Sequence, residues 1–353
     1  MSLPTIAAIE RFDALWTPRL LQLAARIRVA ARGALTTAIA TGRLDELMRP
    51  HEQGAGDVTY GIDVPTETVL SDWLEEIARI APISLLTEDA GWRHAGPDGR
   101  GGVRELARFD HGGPRVVVDP IDGTRNLMAD VRSAWTVIGA CPPGESPPRQ
   151  RDVALGILTE IPDSRGALAR DLWAARGRGA RSREVRLDDD SVVRESSLHC
   201  DASDRADHGY FPFFRYMADM RPAIARVEAD FFARIERDEG AEVRNCYDDQ
   251  YISNGGQLAL LALGKYRMIA DLRAHLAATR GAPTLTTKPY DISGAVLVAR
   301  EAGCVVTAGD GSDLDFPLDV TTPIGFVGWH NAATHARLEQ HLRGALAATT
   351  RDA

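Results

Sequence analysis

Apolar positions along this chain keep two different spacings. From residue 4 to 44 they recur at helical intervals between arginines, which predicts one or two surface helices. Residues 115–118 are instead a β-branched run behind a Gly-Gly-Pro cluster, predicting a buried strand whose carboxyl end carries Asp119; Pro120 then marks a turn. Further strands are predicted at 134–141, 153–161 and 172–175, close enough in sequence for a largely antiparallel sheet. Residues 94–113 and 142–151 are rich in Gly, Pro and charge and read as loops. The polar run 181–194 reads as a solvated boundary between two domains, 1–190 and 191–353. In the second, residues 206–239 combine an aromatic cluster (Tyr210, Phe211, Phe213, Phe214, Tyr216) with a helical pattern ending near Gly240. They read as core or subunit interface rather than as a base-stacking platform. An apolar helix at 257–263, a strand at 266–272 ending near Asp271, a helix at 295–302, and a strand at 326–329 followed by an amphipathic helix complete a mixed α+β chain.

Chemistry gathers where these elements start and stop. Asp119-Pro120-Ile121-Asp122-Gly123-Thr124 sets two carboxylates three residues apart, with the Ile121 carbonyl available as a third oxygen. Such oxygen donors suit Mg²⁺ or Mn²⁺ rather than zinc. Gly123 allows close backbone approach, and Thr124 opens a helix whose free amides favour an anion. A simple Asp-Pro turn, with Asp122 as a helix cap, would leave the same trace. Two other segments carry matching acids: Glu88-Asp89 ends the apolar run at 85–86, and Asp291 opens the 295–302 helix. Glu88, Asp119, Asp122 and Asp291 are therefore four carboxylates from three segments, the set a multi-cation phosphoryl-transfer site needs.

Net charge is −9, from 41 basic and 50 acidic groups in 353 residues, which argues against attraction to nucleic acid or anionic lipid. Only Lys265 and Lys288 are lysines, so arginines carry nearly all the positive charge and suit bidentate contact with phosphate. Four scattered cysteines, Cys141, Cys200, Cys246 and Cys304, form no Cys-x-x-Cys pair and read as buried, reduced thiols. No run is long enough to span a membrane and no signal-peptide pattern precedes the first helix, so the expected place is the cytoplasm. His-Glu-x-x-His, Gly-x-Ser-x-Gly and Walker patterns are missing, and Gly177-x-Gly179 reads as a turn.

Taken in order, Glu88-Asp89, Asp119 to Thr124, and Tyr290-Asp291 running on to Glu301-Ala302-Gly303 resemble the inositol monophosphatase family, in a superfamily with fructose-1,6-bisphosphatases and 3′-phosphoadenosine phosphatases. Asp57 to Asp63 resembles its Thr-x-x-x-Asp segment, so the likeness covers the chain from about residue 57 onward. The resemblance implies a layered αβαβα sandwich of the sugar-phosphatase type, a larger antiparallel sheet followed by a smaller one, and a homodimer. It also implies hydrolysis of a small phosphate monoester, inositol phosphate-like, by a metal-activated water. One Mg²⁺ would be held by Glu88, Asp119 and the Ile121 carbonyl, a second by Asp119, Asp122 and Asp291, and a third near Glu88. Thr124 and Asp63 would activate the water, Gly123 and Thr124 amides would hold phosphate, and Asp271 would contact a substrate hydroxyl. Arg125 stands where the family has a smaller residue, implying a more cationic or narrower pocket. A fructose-1,6-bisphosphatase, a 3′-phosphoadenosine phosphatase and a non-catalytic binder of metal and phosphate are the alternatives; a glycosidase on paired carboxylates would instead work in chelator.

Overall fold

The structure, a computed structural model, describes residues 5–53, 58–281 and 283–351. Helix α1 (Ile6–Thr41) starts at Thr5, whose hydroxyl accepts the Ala8 N–H, and stops at Gly42 in the left-handed region. The N-terminal pattern is thus one 36-residue helix followed by the single turn α2 (Leu44–Leu47), and α1 is not simply a surface helix. Leu20, Leu23, Ile27, Ala31 and Leu35 on one face are fully buried. Its Arg28 is buried too, paired with the equally buried Asp171 at 2.8 Å, so an arginine that reads as solvated anchors the helix to the sheet.

The short hairpin β1 (Pro50–Gln53) and β2 (Val58–Tyr60) and helix α3 (Val64–Ala78) lead into the main sheet. Its strands are β3 (Ile83–Thr87), β4 (Gly91–Pro97), β5 (Val103–Glu105), β6 (Arg115–Asp122), β7 (Ala134–Cys141), β8 (Leu155–Ile161), β9 (Leu168–Ala175), β10 (Ala180–Arg186) and β11 (Val192–Leu198), with the one-turn helix α4 (Thr124–Met128) between β6 and β7. The order is β11-β10-β9-β8-β7-β6-β3-β4-β5, antiparallel at each junction except β3–β6.

Three expectations change here. The region 94–113 holds most of β4 and all of β5 rather than being a loop. Residues 181–194 are not a linker: they form most of the edge hairpin β10–β11, in which Arg181 pairs with Glu195, so the 190/191 boundary falls in its turn. Both segments lie at sheet edges, where charged side chains face water and guard exposed main chain, so no alternation of apolar residues betrays them. Pro120 does not end its strand either. Asp119 pairs with Val137 and Asp122 with Trp135, leaving Pro120 and Ile121 opposite Thr136 alone. This bulge accommodates the missing N–H of proline, and the Thr136 hydroxyl donates to the Pro120 carbonyl at 2.9 Å.

After the main sheet come β12 (His208–Tyr210), α5 (Arg221–Glu239), β13 (Asn245–Tyr247), α6 (Asn254–Ala262), β14 (Met268–Asp271), α7 (Arg273–Arg280), α8 (Pro289–Glu301), β15 (Val305–Ala308), β16 (Phe326–Trp329) and α9 (Ala332–Arg351). Strands β12 and β13 pair in parallel, while β14-β16-β15 form a small antiparallel sheet. Side chains alternate between two cores. Val116 and Val118 of β6 face α1 and α3, whereas Val117 faces α6 and α8. A third core joins the small sheet to α5 and α9 and takes in Phe211 and Phe213. The layers are therefore α1/α3, large sheet, α6/α8, small sheet, α5/α9: the expected αβαβα sandwich. Helix α8 lies so close to β7 that a Cβ on Gly294 would stand 2.0 Å from the Ile138 carbonyl, which fixes the depth at which Asp291 enters the site. No helix among the described residues is long and apolar enough to cross a membrane.

Candidate active site

A cleft with about 620 Å³ of empty space opens where the bulge of β6, the turn after β3 and the N-termini of α4, α6 and α8 meet. Glu88, Asp119, Ile121, Asp122, Gly123, Thr124, Arg125 and Asp291 all line it. The bulge turns Asp119 and Asp122 toward one cavity although they sit three residues apart on a strand. Gly123 then takes φ +104°, which a side chain would strain, and a Cβ there would crowd Ser253 Cβ at 3.1 Å, so glycine is favoured on both counts.

The acids are not equivalent. Asp122 caps α6: Oδ2 accepts the Gly255 N–H (2.6 Å), the Ser253 hydroxyl (2.7 Å) and the Gly256 N–H (3.3 Å), and Oδ1 accepts the Asn254 N–H (3.2 Å). Burial pushes its carboxyl up to about 6 even against those donors. Asp119 has less support, since its Oδ1 accepts the Ile121 N–H at 3.0 Å. Burial, followed by the charges of Asp122, Asp291 and Glu88, lifts it well above the usual carboxylate range. Asp291, in the first turn of α8, accepts the Lys288 N–H at 2.8 Å.

This donor set fits a hard divalent cation. It is all oxygen, and it concentrates negative charge around Asp119 that a cation would neutralise. The acids line the cleft without forming a finished cage: among the described residues no three Asp, Glu, His or Cys side chains already surround one point closely enough to hold an ion.

The Thr124 hydroxyl donates to the Ile121 carbonyl at 2.7 Å, and the carboxyl of Asp63, behind it at the start of α3, is within hydrogen-bonding reach of the same hydroxyl. Asp63 is buried, and its Oδ2 accepts the Tyr60 N–H at 2.7 Å. Burial pushes its carboxyl up to about 7, with Asp89 adding and the Tyr60 and Thr124 donors opposing. Burial and the neighbouring Asp89 likewise push Glu67 to about 7. Asp57, the other end of that weaker sequence match, lies outside the described residues.

Asp271 does not line the cleft. It is fully buried, and its carboxylate is engaged by Arg273 (Nε 2.9 Å, Nη2 2.6 Å), the Thr287 hydroxyl (2.7 Å) and the Asn254 amide (3.1 Å). Arg273 is the residue that reaches the wall. Its guanidinium packs on the Phe214 and Tyr216 rings at 4.4 and 5.2 Å. Arg273, Phe214, Tyr216, Asn254, Thr286 and Lys288 are wall residues that the motifs did not mark as such. The aromatics serve both purposes, Phe211 and Phe213 as core and Phe214 and Tyr216 as cleft. The only early sign of Arg273 was its place two residues after Asp271. Asp271→Asn would leave a guanidinium buried without its counter-charge and is expected to cost about 3–5 kcal/mol in urea unfolding.

The raised acids also set a pH dependence. The fold holds protons on Asp63, Glu67, Asp119 and Asp122 that the unfolded chain releases near pH 4. Their stabilisation is complete below that pH; the part from Asp122, Asp63 and Glu67 is lost as pH rises through about 6 to 7, and Asp119 is raised in the same direction. Chelated protein should therefore show a Tm falling from pH 5 to 8, and excess Mg²⁺ should flatten the fall. A Tm rising over that interval in chelator would contradict the protonation pattern.

The sequence profile described as the inositol monophosphatase family matches residues 27–347, which adds the second half of α1 to the span marked by the motifs. A protein named fructose-1,6-bisphosphatase/inositol-1-monophosphatase from Methanothermobacter thermautotrophicus is 25% identical over 326 residues, covering 91% of this chain and 95% of that protein. Among solved structures, the extragenic suppressor protein SuhB of Bartonella henselae superposes with a TM-score of 0.59 at 16% identity, over 92% of this chain and 96% of that one. Inositol monophosphatase-II of Staphylococcus aureus does so with 0.57 at 14% identity, over 96% and 97%. Both likenesses establish the fold.

Proposed function

This chain belongs to the inositol monophosphatase family, and from that premise we propose that it is a Mg²⁺-dependent phosphatase of a small, inositol phosphate-like monoester. The observation that carries the reading is the convergence on one cleft of acids from three distant segments, with Thr124 and Asp63 beside them. Glu88, Asp119 and the Ile121 carbonyl would hold one cation, and Asp119, Asp122 and Asp291 a second. When bound, such cations supply Lewis acidity, offsetting phosphate charge and acidifying nearby water.

The chain's own residues do the rest. Thr124 faces the cleft and Asp63 lies behind it, so once the hydroxyl turns its proton from the Ile121 carbonyl to Asp63, a water beside Thr124 can pass a proton to the hydroxyl while the hydroxyl passes its own to Asp63. A carboxyl near 7 is matched to that task at neutral pH. Gly123 and Thr124 place their amides at the α4 terminus for phosphate oxygens, and Arg125 and Lys288 on the wall bring positive charge to an otherwise acidic cleft. Asp271 acts on the substrate side by fixing Arg273.

The test is phosphate release from inositol monophosphates, fructose 1,6-bisphosphate, 3′-phosphoadenosine phosphate and histidinol phosphate, each with Mg²⁺ and with chelator. Turnover of an inositol phosphate only with Mg²⁺ is expected. Release that persists in chelator, or none from any ester, would defeat the reading.

A further inference from the structure

Away from the cleft, Cys200 follows β11 and Cys304 lies between α8 and β15. Their Sγ atoms are 3.1 Å apart. The main chain sets this contact: the Cys200 N–H donates to the Ala302 carbonyl at 2.8 Å, and the backbone at Gly303 passes so close that a Cβ there would lie 3.8 Å from Cys200 Cβ. Cys304 is buried and Cys200 half-buried, so a small reagent reaches Cys200 first. The buried His330 packs beside Cys200, with Nε2 3.1 Å from Asp201 Oδ1, and Arg267 holds the same carboxylate at 3.2 Å.

The other cysteines differ. Burial pushes Cys141 up to about 12 and Cys246 up to about 11. Contact with Cys304 and with His330 brings Cys200 down to about 6, against its own burial and the Asp201 charge. A tetrahedral zinc would hold two sulfurs about 3.8 Å apart on bonds of about 2.3 Å. The observed contact is too short for an ion between them but suits closure to a disulfide.

We propose that Cys200 and Cys304 are a peroxide-oxidisable dithiol, Cys200 the attacking sulfur and Cys304 the resolving one. The Cys200 thiolate attacks one oxygen of hydrogen peroxide and the O–O bond breaks. Sulfur loses two electrons to become a sulfenic acid, and the hydroxide leaving takes a proton from solvent. The Cys304 sulfur then attacks Cys200, the S–O bond breaks, and that hydroxide leaves as water with the Cys304 proton as the S–S bond forms. The dithiol has lost two electrons and two protons, and peroxide has become two waters. The bond would join the large sheet's edge to the end of the helix that carries Asp291, closing a loop between residues 104 apart in sequence.

The test treats the full chain with stoichiometric peroxide, counts thiols under denaturing conditions and maps bridged peptides by mass spectrometry. Loss of two of the four thiols, one intramolecular Cys200–Cys304 peptide and recovery with dithiothreitol are expected. Cys304→Ser should leave Cys200 as a sulfenic acid trapped by dimedone, while Cys200→Ser should leave Cys304 reduced. Four thiols surviving peroxide, or a bond that joins Cys141 or Cys246 instead, would overturn the proposal.

Discussion

Asp119→Asn is expected to lower kcat by at least about 10³-fold, some 4 kcal/mol of transition-state stabilisation, while leaving the metal-free fold no less stable than the parent. The two halves of this result have one cause. In the proposed ligand set Asp119 is shared by both cations, so losing its charge weakens both at once. In the metal-free protein the same carboxylate is buried among Asp122, Asp291 and Glu88 with the Ile121 N–H to steady it. Removing its charge relieves repulsion, and chelated Asp119→Asn should melt at or above the parent Tm at pH 8. A structural role would give the opposite signature, lost stability with activity largely kept. Asp122 cannot provide this contrast. It caps α6 through four hydrogen bonds, and an amide nitrogen in place of either carboxylate oxygen would face backbone donors, so Asp122→Asn mixes lost cation binding with a broken cap.

Thr124→Ala is expected to reduce kcat by about 10²-fold with KM changed by less than about threefold, the size of a lost proton-transfer path. Asp63→Asn should do much the same, since it removes the acceptor behind the hydroxyl without touching the cleft wall. The double variant should then be little worse than either single one, because both interrupt a single relay. Full additivity would mean that the two side chains act separately. A large rise in KM for Thr124→Ala with kcat intact would instead make the hydroxyl a phosphate ligand alone.

The acids that line the cleft were legible because each follows or opens an apolar run whose pattern is plain. The runs at 85–86 and 116–118 mark β3 and β6, parallel neighbours inside the sheet, so the acids that follow emerge at the same end of both strands. Pro120 misled for a local reason, since its missing N–H reads as a stop while the β6 bulge absorbs it. The edge strands β4, β5, β10 and β11 were hidden by their own charged, solvent-facing side chains, which look like loop or linker. Arg28 and Arg273 went unread because a buried arginine has the same letter as a solvated one; what distinguishes them is a partner, Asp171 or Asp271, that only the fold or the local turn supplies. Asp271 was placed on the correct strand end, yet its task depends on Arg273, Asn254 and Thr287 closing around it.

The claim that distant carboxylates share divalent cations is tested most directly by counting bound Mn²⁺ by electron paramagnetic resonance in chelator-stripped protein, parent beside Asp119→Asn. The account predicts at least two saturable ions per chain in the parent, displaced by excess Mg²⁺, and a near-complete loss of both in the variant. Equal Mn²⁺ binding by the two proteins, or none by the parent, would contradict it.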